Sequence, residues 1–514
     1  MKFGLFTERS SKANNYTISL FAFVIAFCNY AAYAQVTPLE QFVIDNNGTQ
    51  LQRDIARAVN TVCPSLVASF GGPGFQPVLD APESSEKDIT LRCNELIATA
   101  VSGSRDLGIS DNELLGALQQ VTGEEVAAQN TMTVRAANSQ YSNIAARLGA
   151  LRLATGRAGS TGPATTALNL DIADFPLYSV ATDRNGQPLG GGASADEGQS
   201  LRRAGFFING NYNTGDRDAT AIEDGFDFDA FSVTAGLDYS YDTGVIGFSI
   251  GYDDFSADFD TSPVVSGGEV EADGLSASVF AVKYFDNFHI DGIVTYGELD
   301  YDIERILQYD SNNSDPDCQC PSQQRMVLSS SDGDHLTASI TAGWESFVND
   351  WVIQPSIGVS YRTYDIDGYT EIDTSPTGGM ELRYGEQSID SIRSIARLQI
   401  SRAIQKSFGV LRPLFGAEWH HEFDDNQGII AAKYAQEDEL AVTDPDLGFS
   451  SSLRNCLSCF SIRNEEPDTD FGVVGAGLSF VFPNFVQLVF YYEGLVGYDD
   501  LSSHAVTVNF RRQF

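Results

Sequence analysis

Twelve stretches of this chain alternate apolar and polar residues with a period of two, and the connections between them alternate short and long. In "FSVTAGLDYSY", Phe231, Val233, Ala235, Leu237, Tyr239 and Tyr241 fall on one face, and Ser232, Thr234, Gly236, Asp238 and Ser240 on the other. Such a period predicts a strand with two unlike faces. "VIGFSIGYD" repeats it, as do stretches near 204–214, 274–285, 287–300, 335–347, 351–365, 389–403, 408–423, 470–482, 485–498 and 503–514. "DTG" near 242, "DN" at 286, "VNDW" near 349, "QKS" near 406 and "PN" at 483 read as tight turns. Between them lie long polar segments, 301–334, 366–388 and 424–469. An even strand number, short turns at one end and long loops at the other predict an all-β membrane barrel of twelve antiparallel strands over 201–514. A thirteenth candidate, 429–436, is placed outside the membrane by the parity of the later hairpins.

The polar face carries Asp238, Asp291, Glu345, Arg393, Arg397, Arg412, Glu418, Glu493 and Arg511. Against lipid at mid-depth, charges cost several kcal/mol each, so this face is assigned to the lumen. Tyr239, Tyr241, Tyr284, Phe285 and Tyr361 are expected to form interfacial girdles.

Before residue 201 the periodicity is different. Residues 1–34 read as a signal peptide: Lys2, Arg9 and Lys12, then the apolar run Ile18–Cys28, then Ala32-Tyr33-Ala34, giving a mature start at Gln35. Residues 35–122 read as a small helical domain. Thr122 and Glu125 suggest a capping box opening a long helix over 123–155, about 48 Å at 1.5 Å per residue. Ala136, Ala137, Ser139, Ser142, Ala145, Ala146, Gly149 and Ala150 make it slim. Residues 156–200 have linker composition.

A net charge of −39 excludes nucleic acid as a partner, because a phosphate-binding surface needs Lys and Arg. After removal of Cys28, six cysteines remain: Cys63, Cys93, Cys318, Cys320, Cys456 and Cys459. An even number in an exported chain suggests disulfides. Cys456 and Cys459 stand in an acidic loop without a nearby His, which argues against zinc.

"FDFDAFSVTAGLDYSYDTGVIGFSIGYDDFSADFD" (226–260), "DGDHLTASITAGWESF" (332–347), "RPLFGAEWHHEF" (412–423) and "YYEGLVGYDDLSSHAVTVNFRRQF" (491–514) together resemble the autotransporter (type V secretion) β-domain. "TGEEVAAQNTMTVRAANSQYSNIAARLGALR" (122–152) is similar to the helix that precedes such barrels. The resemblance implies a barrel threaded by that helix in the Gram-negative outer membrane. It implies outer-membrane lipid and the barrel-insertion machinery as partners, with Phe510 and Phe514 as the insertion signal. It is also the basis for pairing Cys63 with Cys93, leaving Cys318, Cys320, Cys456 and Cys459 to brace outer loops. The chain departs from the family at Arg512, where an aromatic is usual, in having no repetitive passenger, and in lacking an Asn-Asn cleavage pair. Asn138 and Asn143 read as incidental, and self-cleavage is not expected.

Three function classes then compete. The first is a monomeric barrel that anchors and displays a short helical domain. The second is a channel with that domain on the periplasmic side. The third is a barrel-borne surface hydrolase. All five histidines (His289, His335, His420, His421 and His504) lie in the barrel, so the helical domain holds no His-dependent catalytic site. Only "EWHHEFDD" (Glu418–Asp425) offers hydrolase chemistry, with His420 and Glu422 facing inward and His421 outward. No cofactor or metal is expected.

Overall fold

A computed structural model describes residues 36–70, 84–103, 105–123, 125–154, 203–220, 223–261, 267–314, 320–424, 428–437, 459–483 and 486–514. The signal segment, the 156–200 linker, Cys318 and Cys456 lie outside the described residues.

The wall consists of β1 (Ala204–Arg217), β2 (Phe226–Tyr241), β3 (Gly244–Phe259), β4 (Gly268–Phe285), β5 (Phe288–Tyr309) and β6 (Gln323–Trp344). It continues as β7 (Trp351–Ile366), β8 (Gln387–Arg402), β9 (Gly409–Glu422), β10 (Asp470–Phe482), β11 (Val486–Val496) and β12 (His504–Gln513). Each strand pairs antiparallel with the next, and β12 returns to β1 through Gly205↔Gln513 to Thr214↔His504. The result is a closed twelve-stranded barrel with no free edge. Short segments Ser346–Val348 and Ile404–Lys406 extend the ladder at the tight-turn end.

The alternation sorts side chains as lipid requires. Outward positions form an apolar belt: Leu275 is 69 % exposed, Ile340 60 %, Ile250 59 % and Ile357 58 %. A belt of this extent is tolerable only against hydrocarbon. Inward positions such as Asn209, Asp238, Ser249, Thr295, Thr337, Asn509 and Arg511 are buried. Among the described residues no helix is long and apolar enough to cross a membrane, so the crossing is made by strands.

The wall is uneven in height. β5 and β6 have 22 residues each, whereas β11 has 11 and β12 has 10. A membrane strand needs roughly 9–11 residues, so about half of β5 and of β6 stands beyond the bilayer. Here the structure corrects the loop expected over 301–334: its two flanks, 301–309 and 323–334, are strand. Those flanks bury Tyr301, Ile303, Leu307 and Val327 on their inner face, because something is packed inside them.

That something is the helical domain: α1 (Pro38–Asp45), α2 (Gln50–Phe70), α3 (Ser85–Ala100) and α4 (Asp111–Gln120). Thr37 with Glu40 and Ser110 with Glu113 form reciprocal capping boxes that satisfy the first free amides of α1 and α4. Leu39, Val43, Ile55, Val59, Ile89, Leu96, Leu114 and Leu118 share one continuous core with Phe226, Phe228, Phe255, Tyr301, Ile303 and Leu307 of the tall strands. The domain is therefore seated in the long-loop mouth of the barrel. The segment 429–436 lies outside the membrane wall, as parity requires. Ile429–Tyr434 joins Leu382–Tyr384 and Phe460–Arg463 in a separate three-stranded sheet against the same core.

Helix α5 (Glu125–Ala154) follows α4 after a turn at Gly123, whose φ of 68° favours glycine. A Cβ there would also meet the Tyr384 hydroxyl. Among the described residues the expected capping box is not seen. The Thr122 hydroxyl instead turns back to donate to the Gln119 carbonyl at the end of α4.

One further expectation changes. Tyr284 does not join a girdle. It neighbours Phe285, which is exposed, so alternation turns Tyr284 inward against the cluster of Phe207, Val245 and Phe280. Tyr239, Tyr241 and Tyr361 do face outward.

Candidate functional site

The site is the lumen with its occupant. One face of α5 carries Gln140, Asn143 and Arg147, spaced i, i+3 and i+7. All three are fully buried against the wall. The Gln140 amide donates to the Tyr252 carbonyl at 3.3 Å and its oxygen accepts from the Thr234 hydroxyl at 2.6 Å. Gly251 makes room, since a Cβ there would collide with the Gln140 amide. Asn143 donates its side-chain amide to the hydroxyls of Ser232 and Thr234, both at 3.0 Å, and its backbone carbonyl accepts from the Asn209 side-chain amide at 2.6 Å. Arg147 pairs with Asp238, whose other oxygen accepts from Arg511 at 2.9 Å. The Arg147 guanidinium also lies 5.1 Å above the Phe207 ring. Ile144, Leu148 and Leu151 fill the same side against Val245, Val282 and Ile293.

These bonds fix the direction of α5. Gln129 meets Gln387 at the long-loop end of β8, and Arg147 meets Asp238 near the tight turn after β2. The helix thus descends from the helical domain, at the outer mouth, toward the end where β1 begins.

Asn143, incidental by sequence, and Gln140 and Arg147, which no sequence motif marks, are all three anchors in the structure. The signal that could have found them was a polar stripe on an otherwise small and apolar helix. Of the predicted lumen residues, the structure brings Asp238 to Arg511, and Arg397 to Glu418 at 2.7 Å. Arg393 pairs with Glu422 at 3.1 Å. Asp291 lies 3.7 Å from His289, Glu345 accepts from Gln354 at 3.1 Å, and Arg412 is buried lower in the wall. Glu493 lines the open part of the lumen. Phe510 and Phe514 are on the outward face of β12 and just beyond its end. Arg512 is outward and opposite Phe206, where its stem can lie on the apolar belt and its charge can reach the headgroups.

The candidate hydrolase residues Glu418, His420 and Glu422 lie together near the end of β9. His420 Nε2 lies 3.2 Å from Glu418, and the ring stacks on Phe471 with centroids 4.9 Å apart. Glu422 accepts from Ser391, Arg393 and the amides of Ile392 and Asp424. Each group is thus engaged by neighbours. Among the described residues no cluster of His, Cys, Asp and Glu has metal-ligand geometry.

The outer mouth is clamped by two buried arginines of the tall strands. Arg305 binds Glu371 at 2.5 and 3.0 Å, the Met380 carbonyl at 3.0 Å and the Gln120 carbonyl of α4 at 3.1 Å. Arg325 binds Asp88 of α3 at 2.5 Å and Asp373 at 2.7 Å. Cys63 of α2 is disulfide-bonded to Cys93 of α3, with Cα atoms 5.9 Å apart. Cys320 and Cys459 are also disulfide-bonded.

A lipid-belted, closed barrel threaded by the helix that precedes its first strand is an outer-membrane translocator barrel. Residues 206–493 match the family model described as "Autotransporter beta-domain", more than half of the chain, and the protein belongs to that family. It is a Gram-negative outer-membrane protein. Among solved structures, the translocator domain of autotransporter NalP from Neisseria meningitidis is similar over 61 % of this chain and 88 % of that one, at 11 % identity and a TM-score of 0.44. The β-domain of the Bordetella autotransporter BrkA is similar over 60 % and 98 %, at 16 % identity and a TM-score of 0.37. The transport unit of AIDA-I from Escherichia coli is similar over 60 % and 89 %, at 13 % identity and a TM-score of 0.35. No curated protein matches the chain.

Proposed function

We propose that this barrel holds its own helical domain, residues 35–122, at the cell surface as a permanent fixture of the outer mouth. The observation that carries this is the core shared by α1–α4 and the inner faces of β2, β3, β4 and β5, closed by Arg305 and Arg325. A passenger built to leave would not complete its hydrophobic core with the barrel wall. The barrel acts without catalysis: Glu418, His420 and Glu422 serve as lumen ion pairs and hydrogen bonds. It is a monomer set into lipid by the barrel-insertion machinery, with Phe510 and Phe514 as the recognised end. The linker and helix α5 are retained uncleaved.

The test is an epitope tag placed after Gln35 in intact cells. External protease should remove the tag while a periplasmic control stays protected. Protection of the tag until the outer membrane is breached, with the protein present, would sink the display reading and favour a periplasmic domain.

A further inference from the structure

Helix α5 does not fill the lumen. It lies against β1 to β6 and leaves a crescent along β7 to β12, a cavity of about 680 Å³. Tyr141, Ser142, Ala145, Ala146 and Gly149, the face of α5 opposite its anchors, form one side. This volume lies within the roughly 300–1,000 Å³ typical of small-molecule sites. The crescent reaches outward to Glu465 and Glu466 in the connection between β9 and β10.

Most charges along it are already matched, Arg393 by Glu422 and Arg397 by Glu418. Two are not. Arg362 on β7 lines the cavity and is 2 % exposed, yet its Nε and Nη1 have no hydrogen-bond partner among the described residues. Its guanidinium lies 5.3 Å from the Tyr141 ring and beside the buried Tyr364 hydroxyl. A cation over an aromatic face recovers only part of the cost of burying a guanidinium. On the other wall, Glu493 of β11 lines the cavity near Arg397 and Glu418, which already pair with each other, and makes no hydrogen bond or ion pair of its own among the described residues. The walls between are apolar and aromatic: Ile389, Leu414, Val489 and Tyr491.

The geometry points to a binding site for a small zwitterion of short-peptide size, its carboxylate received by Arg362 and its ammonium by Glu493. A simple anion would satisfy Arg362 but would meet Glu465 and Glu466 on entry and leave Glu493 unmatched. A simple cation would leave the buried guanidinium unmatched. A ligand with both charges answers both walls, and the acidic mouth draws its ammonium end. Charge-assisted bonds at each end supply specificity, and the aromatic walls cover the body. This inference is independent of the display reading, since the crescent exists whichever side the helical domain faces.

The test uses the full-length protein folded in detergent, titrated calorimetrically with trialanine, its C-terminal amide and its N-acetyl form. Trialanine should bind saturably, and each blocked form should bind about tenfold more weakly, a loss of about 1.4 kcal/mol. Arg362→Gln should bring trialanine down to the affinity of the amide. Glu493→Gln should bring it down to that of the N-acetyl form. Folding of each variant is checked by the mobility difference between heated and unheated samples. Absence of saturable trialanine binding by the native protein, or equal binding of all three peptides, overturns the proposal without any variant.

Discussion

Asp238 faces two guanidiniums at once, Arg147 of α5 and Arg511 of the last strand, and all three are buried. The pair holds the inner end of the helix to the wall at the seam between β12 and β1. Asp238→Asn keeps the shape but leaves two buried cations without a counter-charge. Breaking a buried pair costs about 3–5 kcal/mol. The variant should lose that much stability, read from its thermal midpoint in detergent. Its single-channel trace should flicker as the inner end of α5 detaches. Unchanged stability would mean that the charges are satisfied by water instead. Asp238 was readable from the alternation of its strand. Arg147 was not, because pairing across the lumen joins residues 91 positions apart.

Helices α2 and α3 depend on a covalent and an electrostatic constraint. The Cys63–Cys93 bridge closes 30 residues of chain. Loops of this size give about 3–4 kcal/mol by chain entropy. The Cys63→Ser/Cys93→Ser double variant should lose about that much from the helical domain, seen as a drop in its urea midpoint with the barrel transition unmoved. Glu95 of α3 adds a pH dependence. It is fully buried beside Arg92, Arg105, Asp88 and Arg325, and burial pushes its carboxyl up from 4.5 to about 7, against the pull of Arg92 and Arg105. The folded state therefore holds a proton that the unfolded chain releases above about 4.5. The stabilisation is present in full below that pH and is lost as pH rises through about 7, by up to about 1.4 kcal/mol per unit. Amide exchange in α3 should quicken over that range, and Glu95→Gln should flatten the profile. A profile equally steep in that variant would assign the titration to another group.

At the scale of the whole molecule, one polypeptide makes the pore, fills most of it and caps its outer mouth. Deleting residues 125–154 removes the filling without touching the wall. Such a barrel should still show heat-modifiable mobility and should conduct several-fold more than the native protein in planar bilayers. Equal conductance would mean that the crescent beside α5 already sets the current. A directly opposed row of carboxylates, Asp254, Asp273, Asp300 and Asp332, crosses β3 to β6 on the outward face. Like charges in register oppose pairing, so the tall wall is held by its inner core rather than by this face.

The barrel is legible in the sequence alone. A period of two sorts residues between lipid and lumen whatever else the chain does, and the turn lengths set strand number and sidedness. The helical domain and the slim helix are legible there as well, through apolar spacing and small residues. That 301–309 and 323–334 are strand emerges in the folded molecule, because their reason for being strand is the domain packed inside them. The folded molecule alone decides which face of α5 meets the wall, which lumen charges are matched, and that Arg362 and Glu493 remain open to the crescent. Those outcomes depend on distances between residues far apart in the chain, and periodicity carries information only between near neighbours.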